Sequence, residues 1–183
     1  MEQFERWFAD ARAHVPHEPT AMVFATADAD GQPSARTVLL KGYDERGFVL
    51  YTNLTSRKGR EALANPKASL VFPWYEIERQ VVVVGRVEQV SSEESDAYFA
   101  TRPRDSQLGA HASPQSTVIP DRATIETAFA EVDQRYPHDV PRPAHWGGLR
   151  VVPATVEFWH GRPHRLHDRW RYRDDGSVER LAP

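Results

Sequence analysis

Between Ala21 and Val90 the chain alternates short apolar, β-branched runs with tight turn signals, and that alternation leaves few folds open. Ala21 to Ala27 reads as a strand ended by Asp28-Ala29-Asp30-Gly31, and Pro33 to Lys41 returns as a second strand. Asp44-Glu45-Arg46-Gly47 turns the chain again before Phe48-Val49-Leu50-Tyr51-Thr52. Ala68 to Trp74 and Arg79 to Val90 follow, the latter carrying Val81-Val82-Val83-Val84 and a glycine, Gly85, suited to a bulge. Strands this short and this closely joined predict an antiparallel meander closing into a barrel.

Helices sit around these strands. Phe4, Trp7, Phe8 and Ala11 recur at helical spacing, which predicts an amphipathic helix over residues 2–14. Thr55 or Ser56 caps a short helix that Asn65-Pro66 stops, and Ser91 with Glu94 forms a capping-box pattern opening a helix to about Ala100. Ile125, Phe129, Val132 and Tyr136 mark the apolar stripe of a further helix over about 122–136. Pro137 to Pro143 is a connector and not a boundary, since only about 40 residues follow. Arg150 to Val152, Val156 to His160 and Arg169 to Tyr172 read as closing strands. The expectation is one mainly β domain with peripheral helices over residues 1–183.

Composition narrows function by exclusion. The net charge of −3 argues against a general nucleic-acid binder. With no cysteine there is no disulfide and no thiolate metal site. No apolar run has the length of a membrane span, and the start lacks the pattern of a signal peptide, so a cytoplasmic location is expected. Of the 23 basic Lys and Arg residues, 20 are arginine, a bias that a GC-rich coding sequence explains by itself. Position has to carry the case.

Four segments put cations in telling places. In Arg36-Thr-Val-Leu-Leu-Lys41 the cations interrupt an apolar strand, which needs an answering anion or an edge strand with two solvated ends; the edge strand accounts for it slightly better. In Tyr51-Thr-Asn-Leu-Thr-Ser-Arg-Lys58 two cations fall in a first helical turn, where only an anion makes them favourable, so a phosphate site is expected there. Tyr98 to Gln107 sets an aromatic, Arg102, Arg104 and Ser106 at a helix end, suited to a second phosphate or equally to a salt-bridged surface turn. In Arg165-Leu-His-Asp-Arg169 strand alternation would aim Arg165, His167 and Arg169 to one face. His160, His164 and His167 lack the spacing of a metal site, and none is expected.

Together these segments, with Glu78-Arg-Gln80, Gln115-Ser116, Trp146-Gly-Gly148, Glu157-Phe-Trp159 and the ending Arg180-Leu-Ala-Pro183, resemble the pyridoxamine 5′-phosphate oxidases over nearly the whole chain. The resemblance implies an FMN-binding split β-barrel and a homodimer with FMN at the subunit interface, residues from about 144 to 183 serving dimerisation and substrate. It implies FMN contacts from Arg36, Lys41, Tyr51, Thr52, Ser56, Arg57, Lys58, Gln80, Gln115, Ser116, Trp159 and Arg169. It implies that Lys41, Tyr98, Arg102 and Ser106 hold the substrate phosphate, while Arg165 and His167 stand at the reacting end as the catalytic pair. The implied reaction oxidises pyridoxamine or pyridoxine 5′-phosphate to pyridoxal 5′-phosphate with O2, giving hydrogen peroxide. Such enzymes usually carry a longer arm before the first helix, able to help cover the site, so either weaker substrate binding or a sequence trimmed at its start is expected here. Two alternatives stay open: another split-barrel flavin reductase, and a non-catalytic protein that binds FMN or pyridoxal phosphate.

Overall fold

The computed structural model describes all 183 residues. In chain order the elements are α1 (Glu2–His14), β1 (Ala21–Ala27), β2 (Pro33–Leu39), β3 (Gly42–Asp44), β4 (Gly47–Asn53), α2 (Arg57–Ala64), β5 (Lys67–Trp74), β6 (Arg79–Gln89), α3 (Ser92–Ala100), α4 (Arg104–Ala112), α5 (Arg122–Arg135), β7 (Trp146–His160), β8 (Asp168–Arg173) and β9 (Val178–Arg180). The strands form one antiparallel nine-stranded sheet with the path β2-β1-β5-β6-β7-β4-β3, and β8 and β9 are added beside the second half of β7. This is a split barrel and not a simple meander, because β1 pairs with β5 and β4 with β7 across long stretches of sequence.

Period-two alternation decides which face is buried. Met22, Phe24 and Thr26 of β1, Ala68, Leu70, Phe72 and Trp74 of β5, and Val81 and Val83 of β6 all point inward. Helix α1 fills the space they enclose, its Phe4 ring lying 4.8 Å from Phe48 and 5.2 Å from Phe72 in edge-to-face contact. A smaller core of Phe99, Leu108, Ala112, Val132, Val140 and Trp146 fastens α3, α4 and α5 over the start of β7.

Two expected closing strands, 150–152 and 156–160, are one continuous strand of 15 residues. Pro153 suggests a break, yet it sits where the β6–β7 register shifts, a position that requires no ladder hydrogen bond from proline. The bulge expected at Gly85 is there, and a Cβ on Gly85 would lie 2.0 Å from the Val152 carbonyl oxygen. Helix α4 and the three-residue strands β3 and β9 are additional to the elements expected from sequence. Ser91 caps α3 through the Glu94 amide, but the Glu94 carboxylate turns instead to Arg46 and Arg150.

Candidate functional site

At the end of β4 the Asn53 side chain accepts the Thr55 amide at 2.8 Å, turning the chain so that Ser56 caps α2. Gly59 allows the turn to pack closely, since a Cβ there would meet the Leu54 carbonyl oxygen at 2.3 Å. The first turn of α2 carries Arg57 and Lys58 and no acidic residue. Arg57 donates through Nε to Glu61 at 2.7 Å and leaves its two terminal nitrogens free. The Lys58 ammonium donates to Gln115 at 2.9 Å and Ser56 at 3.3 Å, with no carboxylate beside it. Burial, and then the charge of Arg36, hold the Lys58 ammonium below the ordinary lysine range. A cation so placed favours an incoming anion.

Arg36 behaves differently. Its terminal nitrogens donate to the Phe24 carbonyl at 3.0 Å, Thr26 at 2.6 Å, Ser34 and Glu61, so they are committed inside the fold. Glu61 itself is buried; desolvation raises its pKa, but hydrogen bonds from Ser34, Thr26 and Arg57 outweigh that and lower it to about 2. It is ionised at any ordinary pH.

Beside this helix a cleft of about 380 Å³ gathers Lys41, Tyr51, Thr52, Tyr98, Arg102, Ser106 and Gln115. Tyr51 stacks on Tyr98 with ring centres 4.0 Å apart, and Trp146 continues the stack. The Arg102 guanidinium lies over Trp146 at 4.8 Å, and its buried Nη1 has no hydrogen-bond partner. Burial pulls the Arg102 pKa down, as expected of a desolvated cation without a counter-ion. Lys41 is exposed and unpaired.

A second locus forms at the other end of β7. Gln80, Trp159 and Arg169 are cross-strand neighbours on β6, β7 and β8, so their side chains share one face. A cleft of about 750 Å³ takes in Gln80, Trp159 and His167. The His167 ring lies 4.6 Å from Trp159, and its Nδ1 accepts the Arg162 amide at 3.1 Å. Neutral His167 therefore carries its proton on Nε2 and presents a donor. Arg169 is held by Glu157 at 2.8 Å and donates to the Ala182 carbonyl at 2.9 Å.

The strand alternation expected for Arg165, His167 and Arg169 does not occur. Pro163 to Arg165 form a single 3₁₀ turn, with His164 and Arg165 at φ +60° and +61°, and the strand begins only at Asp168. Proline fixes one end of the turn and two left-handed residues reverse the chain. Arg165 is exposed there without an acidic partner, and Ser116 is likewise exposed, at φ +71°. Arg104 is not part of either cleft; it ties α4 to Asp133 and to the Tyr136 and His138 carbonyls.

The two loci are far apart within one chain. Thr52 pairs with Gly147 and Gln80 with Trp159, and these β7 residues are twelve positions apart (159 minus 147). At about 3.3 Å per residue that is roughly 40 Å along the strand. Sequence reasoning missed Glu61, and named Glu157 and Trp146 only as members of motifs, with no site role. Only Glu61 had a local signal, its i,i+4 spacing from Arg57.

Comparison with known proteins adds to this geometry. Residues 8–136 match the family described as "Pyridoxamine 5′-phosphate oxidase", and residues 146–183 match "Pyridoxine 5′-phosphate oxidase C-terminal dimerisation region". The chain is 62% identical to a pyridoxine/pyridoxamine 5′-phosphate oxidase of Frankia alni, the match covering 100% of this chain and 80% of that one. It is 54% identical to the protein of that name from Burkholderia lata, covering 99% of this chain and 87% of that one. Its fold is similar to the crystal structure of PhzG from the same species in complex with tetrahydrophenazine-1-carboxylic acid, with a TM-score of 0.94, 33% identity, and coverage of 100% and 91%.

Proposed function

The chain belongs to the pyridoxamine 5′-phosphate oxidase family, and from that premise we propose that it oxidises pyridoxamine 5′-phosphate and pyridoxine 5′-phosphate to pyridoxal 5′-phosphate, as a homodimer with FMN at the interface. The amine reaction consumes O2 and water and releases ammonia and hydrogen peroxide; the alcohol reaction consumes O2 and releases hydrogen peroxide. The observation that carries this reading is the buried, unpartnered Nη1 of Arg102 in a cleft shared with Lys41, Tyr98 and Ser106. A desolvated guanidinium with no carboxylate calls for an anion, and bidentate phosphate suits it.

The residues fit the family's cofactor, FMN. Arg57 with two free terminal nitrogens, Lys58 without a counter-ion and the Ser56 cap would hold its phosphate. Tyr51, Thr52, Lys41, Gln115, Ser116, Gln80, Trp159 and Arg169 would contact the remainder, and Arg36 would act from behind Glu61. When bound, FMN would supply a hydride acceptor for oxidation at the substrate C4′ carbon, with O2 as the final acceptor. The protein fixes the phosphate end of the substrate through Lys41, Arg102, Ser106 and Tyr98, so that C4′ is presented in one orientation. Arg165 would orient the amine or hydroxyl, and His167 would donate from Nε2 beside it.

The separation of roughly 40 Å along β7 supports a shared site. No mononucleotide spans it, so the first locus of one protomer would meet the second locus of its partner, residues from about 144 to 183 serving this contact. A second reading, oxidation of a reduced tricyclic acid of the kind bound by PhzG, draws on the fold likeness. Identity favours the first: Burkholderia lata has both proteins, and the chain is 54% identical to its phosphate oxidase and 33% identical to its PhzG. The test is to supply FMN and each B6 phosphate in air and follow pyridoxal 5′-phosphate and peroxide. Equimolar formation of both is expected. Product from neither substrate, with FMN bound, would overturn the proposal.

A further inference from the structure

Glu61 is an acid inside a cluster of cations proposed to bind phosphate. An anion there would repel the ligand, unless its work is to hold the cations in place. The Glu61 carboxylate receives four side chains from three elements: Thr26 of β1, Ser34 and Arg36 of β2, and Arg57 of its own helix. Arg57 reaches it through Nε alone, which leaves the two remaining nitrogens of the guanidinium without a partner. Arg36 reaches it at 3.3 Å while also donating to Thr26 and Ser34, so one carboxylate fixes both arginines and the two hydroxyls. Its side chain is 7% exposed, which removes water as a competing partner.

We infer that Glu61 is the positioning residue of the phosphate site, orienting Arg57 toward the phosphate and retaining Arg36 behind it as a fixed charge. This rests on the assignment of Arg57 and Lys58 to the FMN phosphate. The positive charge of two arginines exceeds the one negative charge of Glu61, so the cluster keeps a net attraction for an anion. The carboxylate remains ionised near neutrality, because its hydroxyl and guanidinium donors hold its pKa at about 2. Glutamine at this position keeps the size and can accept from the hydroxyls, but it cannot hold two guanidiniums by charge.

The experiment compares FMN with riboflavin, which lacks the phosphate, on apoprotein of wild type, Glu61→Gln, Thr26→Val and Lys58→Ala, by quenching of flavin fluorescence. Glu61→Gln should weaken FMN binding roughly tenfold or more and leave riboflavin binding within about twofold. Thr26→Val, which removes one of the four donors, should show the same selectivity at smaller size and serves if Glu61→Gln does not fold. Equal losses for FMN and riboflavin, or no loss for either, would overturn the inference by giving Glu61 a merely structural role. Lys58→Ala separates the two levels. If it weakens FMN selectively while Glu61→Gln does not, only the role of Glu61 fails. If Lys58→Ala shows no selectivity, the phosphate assignment falls and the inference with it.

Discussion

At the β4–α2 end of the molecule Lys41, Lys58 and Arg102 have no carboxylate beside them, whereas at the far end of β7 Arg169 is clasped by Glu157 and Arg162 by Asp168. Both ends are rich in cations and aromatics, but only the first leaves its charge uncompensated in a partly desolvated cleft. The second presents Trp159 and Gln80 in a row and a His167 fixed as an Nε2 donor. Uncompensated charge suits a phosphate; a neutral, hydrogen-bonding aromatic face suits a flat ring and its reacting substituent.

The strongest way to break this contrast is Arg102→Leu. Loss of a bidentate, charge-assisted contact should lower kcat/KM for the B6 phosphates about a hundredfold, through KM, while FMN affinity changes little. Equal losses of FMN and substrate affinity would merge the two anion sites into one. Arg165→Leu addresses the other end: kcat should fall by a factor of roughly ten to a hundred, with FMN affinity retained. Unchanged turnover would remove Arg165 from the reacting end.

Lys58 sharpens the contrast through pH. A lysine is cationic below its pKa, and burial together with Arg36 lowers that of Lys58. FMN affinity should therefore decline on the alkaline side sooner than an ordinary lysine titrates, near pH 10.4. In Lys58→Arg the guanidinium stays charged, and the decline should move to higher pH; an identical profile for both proteins would show that Lys58 does not meet the phosphate. The smallest effect is expected from Glu157→Gln. It loosens Arg169 without removing it, so kcat should fall about threefold with substrate KM unchanged. A large rise in KM would mean that Arg169 belongs with the phosphate sites.

Much of the first locus is legible locally. Ser56 announces a cap, Arg57 and Lys58 announce two cations with no acid in the first turn of α2, and Gly85 announces its bulge, each by rules that act within a few residues. The Arg57–Glu61 spacing was equally local. The row of Gln80, Trp159 and Arg169 is not, because it depends on the register of three strands whose pairing no short window contains. Helix α4 carries little local signal: Pro103 sits at its N-cap with no side-chain cap hydrogen bond, and Gly109 falls inside it. Around Arg165 the local pattern misled: two-residue alternation resembles a strand, but Pro163 and the left-handed His164 and Arg165 make a turn.

The claim that binds these observations is that one catalytic site joins the first locus of one protomer to the second locus of its partner. Refolding Arg102→Leu and Arg165→Leu proteins together tests it. In a random mixture half the dimers are mixed, and each mixed dimer has one site with both loci intact. With substrate held well below the wild-type KM, activity should then return to on the order of one quarter of wild type, although each variant alone retains at most about a tenth. If both loci served the same site within one protomer, every site in the mixture would carry one defect, and activity would stay at the level of the variants themselves.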